Sequence, residues 1–205
     1  MRQVIDLLRK KPQQARAEGT VDTILEAAAQ ILQTHPDDFT TNRVAERAGF
    51  GIGTLYQYFP NKDALLLAIA ERESRRIVAA IKAEIDAGAG QPLEARIRAL
   101  VRRLIGGFGG RQRTRKAVLL AVLRRAGPGV AAKPVAEVAN HLIERLLREN
   151  SPEIRRPTSA AIFVATRAVA GCIRAAVIEE SPLLATREFE DEVVRLMVRA
   201  LRADA

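Results

Sequence analysis

Apolar residues recur along nearly the whole chain at the three- and four-residue spacing of an amphipathic α-helix. Ile24, Leu25, Ala28 and Ile31 form one such stripe, which ends where the chain becomes polar near Pro36. A half-buried β-strand requires strict alternation of apolar and polar residues, and no segment shows it. The pattern therefore predicts an all-α fold.

Glycine and proline residues divide this pattern into separate helices. Two short helices are predicted on either side of Gly49, which can adopt the left-handed conformation that ends a helix. A long helix is predicted to follow, capped by Asn61 and ending near Ala87. Further helical segments are predicted from Pro92, around Val118 to Leu123, around Val135 to Leu146, from Thr158 to Glu180 and from Thr186 to Arg202.

The same pattern predicts three parts of the chain. Residues 1–19 combine proline, glycine and basic residues and are expected to form a flexible basic arm. A compact helical domain is predicted at 20–66 and a larger helical domain at 67–205.

Composition limits the chemistry that the chain can perform. Its 205 residues are 48% apolar and 28% charged, which predicts a globular protein that folds without a disulfide or a metal. The single cysteine, Cys172, and the two histidines, His35 and His141, lack the spacing of a metal site. The sequence has no Gly-rich phosphate loop and no Cys/His nucleophile pair. We therefore predict no metal, no cofactor and no enzymatic activity.

Hydropathy does not predict a membrane protein. The longest charge-free apolar stretch, residues 157–166, is interrupted by Arg167 well short of the roughly 18 residues that a membrane helix needs. Charges at Arg2, Asp6 and Arg9 interrupt the apolar core that a signal peptide would have. We expect no membrane partner and a cytoplasmic location.

The formal net charge of +9 is distributed unevenly. Residues 1–62 carry eight basic and seven acidic residues, whereas the window 96–125 carries ten basic residues and no acidic one. A basic chain favours a polyanionic partner such as DNA. Three interpretations of the window stay open: attraction of a small anion, steering toward DNA, and arginines on solvated helix faces.

Residues 40–62, TTNRVAERAGFGIGTLYQYFPNK, have the pattern of a helix-turn-helix. Ala45 and Ala48 are small enough for two helices to approach, and Gly49 permits the turn between them. Hydroxyl and charged side chains remain to contact the phosphate oxygens of DNA. The residues predicted to face inward are Val44, Ile52, Leu55 and Phe59, and those left for phosphates are Thr41, Thr54, Tyr56, Tyr58 and Lys62.

About a dozen positions match one protein family in register. They are Thr40-Thr41, Val44-Ala45, Ala48-Gly49, Gly53-Thr54-Leu55-Tyr56, Tyr58-Phe59, and Lys62 followed by Leu65. Over roughly residues 20–70 the sequence strongly resembles the TetR family of bacterial transcriptional repressors. Beyond residue 70 only the layout of long helices is similar.

The resemblance implies a homodimer that binds a palindromic operator in double-stranded DNA and is released by a small-molecule effector. Thr41, Tyr56, Tyr58 and Lys62 would contact phosphates, and Asn42 would reach a base or the backbone. The residues implied on or near the recognition surface are Ile52, Gly53, Thr54 and Gln57.

The sequence departs from the family at Gly51 and Ile52, where many members have polar residues. Ile52 can pack on a thymine methyl group, and Gln57 can hydrogen-bond adenine, but other base contacts in this part would be few. We therefore expect DNA shape to carry part of the specificity.

The resemblance also implies an effector pocket and a dimer interface in the C-terminal domain. The helices at about 158–180 and 186–202 are expected to form an intersubunit four-helix bundle, because their apolar surface exceeds what one subunit can cover. Only 4% of the residues are aromatic, so an aliphatic or amphipathic effector is expected, with an anionic group as an option. The residues expected to line the pocket are Leu100, Leu104, Phe108, Leu119, Val122, Leu123, Leu142, Phe163 and Arg167.

Two other functions stay open at this point. The first is an architectural DNA-binding protein that responds to no effector. The second is an interaction module that has lost DNA binding, and the intact Thr41, Tyr56, Tyr58 and Lys62 argue against it.

Overall fold

The computed structural model describes residues 15–107, 112–149, 154 and 157–202. This part of the chain forms nine α-helices and no β-strand, which confirms the predicted all-α fold. Two 3-10 helices, Pro36–Asp38 and Pro182–Ala185, lie between the α-helices. The α-helices are α1 (Ala15–Thr34), α2 (Thr41–Ala48), α3 (Ile52–Tyr58), α4 (Lys62–Ala87), α5 (Leu93–Gly107), α6 (Gln112–Arg125), α7 (Gly127–Glu149), α8 (Ser159–Ile178) and α9 (Arg187–Leu201).

The described residues within Met1–Glu73 and Gly110–Val130 form a first compact unit. Its core is one apolar cluster, in which the side chains of Ile24, Leu55 and Phe59 are fully buried. Helix α6 contributes Val118 and Ala121 to this cluster. The first unit is therefore built from α1, α2, α3, the first half of α4, and α6.

Helix α6 is the main difference from the predicted domain division. The sequence pattern assigns residues 110–130 to the domain at 67–205, whereas the structure groups them with the N-terminal helices. The side chain of Thr114 is buried there, and its hydroxyl donates a hydrogen bond to the carbonyl of Ala29 at 3.0 Å. The spacing of apolar residues along one helix cannot predict a contact between residues so far apart in the chain.

The described residues within Ser74–Gly109 and Ala131–Ala205 form the second unit. Helix α9 packs against both α5 and α8. Arg96 on α5 is buried, and its guanidinium donates hydrogen bonds to both carboxylate oxygens of Glu149 on α7 at 2.5 and 3.1 Å. Arg98 joins α5 to α9 through Glu190, at 3.1 Å, and through Asp191.

Two predicted helix boundaries differ from the structure. Helix α1 begins at Ala15, so residues 15–19 of the predicted arm are helical, and residues 1–14 lie outside the described residues. Helix α7 begins at Gly127 and continues through Pro134, whereas the pattern predicts a helix around Val135 to Leu146. Gly127 has φ of 77° and makes the turn after α6, so the next helix starts at once.

Helix α8 is the one described helix that is long and apolar enough, by length and composition, to cross a membrane. Its mean hydropathy is 1.8, but it carries Arg167 and Arg174. A core helix of a soluble protein meets the same criteria, so this composition is weak evidence for a membrane span.

Candidate nucleic-acid interface

Helices α2 and α3 form the predicted helix-turn-helix. Thr40 caps α2, since its hydroxyl accepts a hydrogen bond from the backbone N–H of Arg43 at 3.2 Å. Gly49 ends α2 with φ of 75°, and the N–H of Phe50 then donates to the carbonyl of Ala45 at 2.9 Å. A side chain at position 49 would be strained in this left-handed conformation. The turn assigned to Gly49 from the sequence is confirmed.

Helix α3 has one buried and one exposed face. Leu55 and Phe59 are fully buried, as predicted. The prediction that Ile52 also faces inward is wrong, because its side chain is 37% exposed. Its neighbours Gly51 and Gly53 have no side chains to cover it. The residues on the exposed face of α3 are Ile52, Gly53, Tyr56 and Gln57.

Two hydroxyl groups connect the helices of this motif. The Thr41 Oγ1 atom, in the first turn of α2, lies 3.2 Å from the Tyr56 hydroxyl on α3. One of them donates to the other, and each keeps further capacity to contact a ligand. Tyr58 is half-buried and packs against the core of the first unit, while Thr54 is half-buried and Asn42 is exposed. The pair fixes the start of α2 to the exposed face of α3.

Lys62 is the first residue of α4 and is exposed. Its ammonium nitrogen lies 5.0 Å from the centre of the Phe39 ring, which is buried. Asn61 caps α4, as predicted, by accepting a hydrogen bond from the N–H of Ala64 at 2.9 Å. The lysine thus stands at a helix N-terminus, where the backbone and the side chain both attract an anion.

Sequence reasoning missed two contacts that hold α2 in place. Arg47 donates from Nε to the side-chain oxygen of Gln30 on α1 at 3.1 Å, and Arg43 pairs with Asp38 at 3.0 Å. The first of these contacts joins residues that are 17 positions apart in the chain. The sequence does not indicate which residue an arginine on an exposed helix face contacts.

Comparison with known proteins identifies the family of this chain. Residues 24–69 match the family model described as bacterial regulatory proteins, tetR family, and residues 92–201 match the tetracyclin repressor-like C-terminal domain. The chain belongs to the TetR family. The members of this family are helix-turn-helix transcriptional regulators that bind operator DNA, commonly as dimers.

This chain is similar to individual TetR-family proteins over different lengths. A transcriptional regulator from Xanthobacter autotrophicus, named for its place in the 5′ region of dhlA, is 31% identical over 92 residues, or 44% of this chain. The chain spans about half the length of that relative, 46%. A TetR-family regulator from Mesorhizobium loti shares the fold, with a TM-score of 0.66 and 16% identity, over 91% of this chain and 95% of its own. The fatty acid degradation regulator FadR from Bacillus halodurans has a TM-score of 0.61 and 20% identity, over 88% and 99%.

The predicted pocket residues are divided between the two units. Leu119, Val122 and Leu123 lie on α6 in the first unit. In the second unit Leu142 is buried, while Phe163 is 61% exposed. The remaining predicted residues of the second unit are Leu100, which is buried, and Leu104 and Arg167, which are half-buried, whereas Phe108 lies outside the described residues.

The second unit holds a small apolar cavity of about 10 Å³. This is close to the least volume that one water molecule requires. Of the predicted pocket residues that the structure describes, only Leu142 borders it. The described residues of its lining are Ala139, Leu142, Ile143, Ile162, Ala165, Thr166, Met197, Ala200 and Leu201.

Proposed function

We propose that this chain is a ligand-responsive repressor that binds a palindromic operator as a homodimer in the bacterial cytoplasm. The observation that carries the proposal is the exposed face of α3, next to the hydroxyls of Thr41 and Tyr56 and the ammonium group of Lys62. In this proposal α3 enters the major groove, and the flanking groups contact phosphates on its two sides.

Gly53 supports close approach of α3 to DNA. It lies in the first turn of α3, and glycine stabilises a helix less than alanine does. A Cβ atom at this position would meet no atom of the protein within 4 Å. Packing within the chain therefore does not require a glycine here, but a bound base pair would.

The residues around Gly53 have distinct proposed roles. Ile52 packs on a thymine methyl group, and Gln57 donates and accepts hydrogen bonds at an adenine edge. Thr54 and Asn42 contact the backbone or a base edge. The phosphate contacts are assigned to Thr41, Tyr56, Tyr58 and Lys62.

The exposed side of α8 supports a homodimer. Phe163 and Val164 are 61% and 64% exposed, and Leu196 on α9 is 42% exposed. Large exposed apolar side chains on two helices that pack against each other favour a protein interface. A two-fold interface formed by α8 and α9 would place two copies of α3 on a palindromic site.

The proposed effector is an aliphatic molecule that binds the second unit. All the side chains around its cavity are apolar except that of Thr166, whose hydroxyl already donates to the carbonyl of Ile162 at 2.7 Å. A hydrocarbon chain is the chemistry that such a lining accepts. Binding requires the cavity to expand, and an effector that prefers the expanded state lowers DNA affinity by its preference for that state.

The test uses the purified chain and its own upstream DNA. We expect sequence-selective binding that weakens with salt, and further weakening by Lys62→Ala and Tyr58→Phe. The proposed DNA contact fails if the wild-type protein shows no preference for any duplex at low salt.

Gly53→Ala separates DNA contact from folding. It should raise the free energy of unfolding by less than about 1 kcal/mol, since position 53 lies in the first turn of α3, and it should lower operator affinity. The matched control is Gly129→Ala, because Gly129 is also helical, exposed and without neighbours near its Cβ position. Equal DNA affinity for both variants would contradict the role assigned to Gly53.

Release by an effector needs a separate measurement. A panel of fatty acids and alkanes is titrated into the preformed DNA complex. Dissociation by one of them supports the ligand-responsive repressor. Stable binding with all of them favours an architectural protein that needs no effector.

A further inference from the structure

An ion pair links α6 to the start of α4, next to the proposed phosphate contact. The Arg125 guanidinium lies 2.8 Å from a carboxylate oxygen of Asp63, and both residues belong to the first unit. Asp63 directly follows Lys62. The side chains of Arg125 and Asp63 are 63% and 38% exposed, so water and salt can reach the pair.

The charge of Asp63 has opposite effects on folding and on DNA binding. A carboxylate in the first turn of a helix is stabilised by the positive end of the helix dipole. The same carboxylate repels a phosphate held by the neighbouring Lys62. The carboxylate and such a phosphate would be closer together than roughly 8 Å, the distance over which physiological salt screens charges. Without a partner, Asp63 would cancel the charge of Lys62.

We propose that Arg125 is a positioning residue for operator binding that acts by neutralising Asp63. This inference rests on the proposed DNA contact of Lys62. The ion pair allows a helix that favours an acidic first turn to present a net positive charge to the phosphate. The basic window 96–125 thus contributes to DNA binding through one specific residue.

Arg124 provides a matched control. It is the neighbouring residue on α6, is exposed, and has no carboxylate partner among the described residues. Arg124→Gln removes the same charge as Arg125→Gln without releasing Asp63. A difference between the two variants therefore does not come from net charge, and the Asp63→Asn background shows whether it comes from Asp63.

The experiment measures affinity for a duplex that the wild-type protein selects from a random library. We expect Arg125→Gln to weaken binding about twofold to fivefold more than Arg124→Gln does. Asp63→Asn should bind at least as tightly as wild type, and adding Arg125→Gln to it should have little further effect. Arg125→Lys should restore most of the lost affinity. Thermal unfolding of each variant checks that the fold is retained.

The double variant distinguishes this role from a direct contact. If Arg125 itself bound a phosphate, Asp63→Asn would not restore the affinity that Arg125→Gln loses. That result would overturn the inference, and so would equal affinities of Arg125→Gln and Arg124→Gln. If the wild-type protein selects no duplex, the proposed function and this inference both fall.

Discussion

The two units of this chain differ in how deeply the arginines that join their helices are buried. In the first unit, the side chains of Arg72 and Arg125, which pair with Glu26 and Asp63, are 16% and 63% exposed. Sixteen buried apolar residues among those described form one cluster there, which includes residues of α1, α2, α3, α4 and α6. In the second unit, ion pairs reinforce apolar contacts between helices: Arg96 with Glu149, and Arg98 with Glu190 and Asp191. Those arginines lie 53, 92 and 93 residues before their partners.

Apolar burial and ion pairing differ in how far the sequence predicts them. Burial of an apolar side chain repeats along its own helix, so the sequence displays it locally. An arginine that pairs across helices has the same local pattern as one in solvent. The sequence therefore leaves three interpretations of the basic window 96–125 open. In the structure, five of its arginines pair with carboxylates: Arg96, Arg98, Arg102, Arg103 and Arg125.

The largest expected effect is the loss of a core side chain from the first unit. Leu55→Ala should lower the free energy of unfolding by about 4 kcal/mol, because Leu55 is fully buried and its removal leaves a cavity. Ile52→Ala on the same helix should cost about 1 kcal/mol or less, since Ile52 is 37% exposed. Urea denaturation measures both. Equal losses would show that α3 does not have the single buried face described above.

The next effect tests the buried ion pair of the second unit. Arg96→Ala should lower the free energy of unfolding by about 3 kcal/mol, because it leaves Glu149 partly buried without its partner. Arg103→Ala removes an arginine from the same helix, but that side chain is 52% exposed and lies 3.9 Å from Glu84. Its loss should cost less than about 1 kcal/mol. If Arg96→Ala is as mild as Arg103→Ala, ion pairing does not distinguish this unit.

Within the helix-turn-helix, most features could be predicted from the sequence. Gly49 and Asn61 mark helix ends because their roles depend on the backbone within a few residues. Leu55 and Phe59 face the core because the spacing determines one face of a short helix. The spacing predicts that Ile52 faces inward as well, but the burial of a residue at the end of a helix depends on neighbouring side chains, and the neighbours of Ile52 are glycines.

Beyond this motif the sequence specified helices but not their partners. The ends of α8 and α9 agree with prediction to within two residues. The pocket prediction combined residues of α5, α6, α7 and α8 from their apolar character alone, and the structure assigns α6 to the other unit. The packing partners of each apolar helix face depend on the shapes of the two surfaces and on contacts such as the hydrogen bond between Thr114 and Ala29.

A smaller effect tests the membership of α6 in the first unit. Thr114→Val should lower the free energy of unfolding by about 1 kcal/mol, because the buried hydroxyl that donates to the Ala29 carbonyl is lost. Thr23→Val is the control, since its hydroxyl makes a similar bond to the Gly19 carbonyl at 2.8 Å on the exposed surface. Chemical denaturation should show a cost of only a few tenths of a kcal/mol there. No difference between the two would weaken the case for α6 as a core helix.

The smallest effect is a pH-dependent one in the second unit. The hydrogen bond from Arg98 holds the pKa of Asp191 below its ordinary value of 3.8. A carboxyl group whose pKa is lowered by folding stabilises the folded state at a pH above its ordinary pKa. This stabilisation is lost as the pH falls through the pKa that the group has in the folded state. Asp191→Asn should therefore have a lower Tm than wild type at pH 7, and the two Tm values should converge as the pH falls below 3.8.

The control for this comparison is Glu192→Gln on the same helix. Glu192 pairs with Arg195 one turn away on α9, and both side chains are more than half exposed. Because that pair joins no second helix, its loss should change the Tm less at pH 7 than the loss of Asp191 does. A Tm difference for Asp191→Asn that persists unchanged in acid would mean that the carboxylate charge does not hold α5 to α9. The contrast between the two units would then rest on the buried Arg96 pair alone.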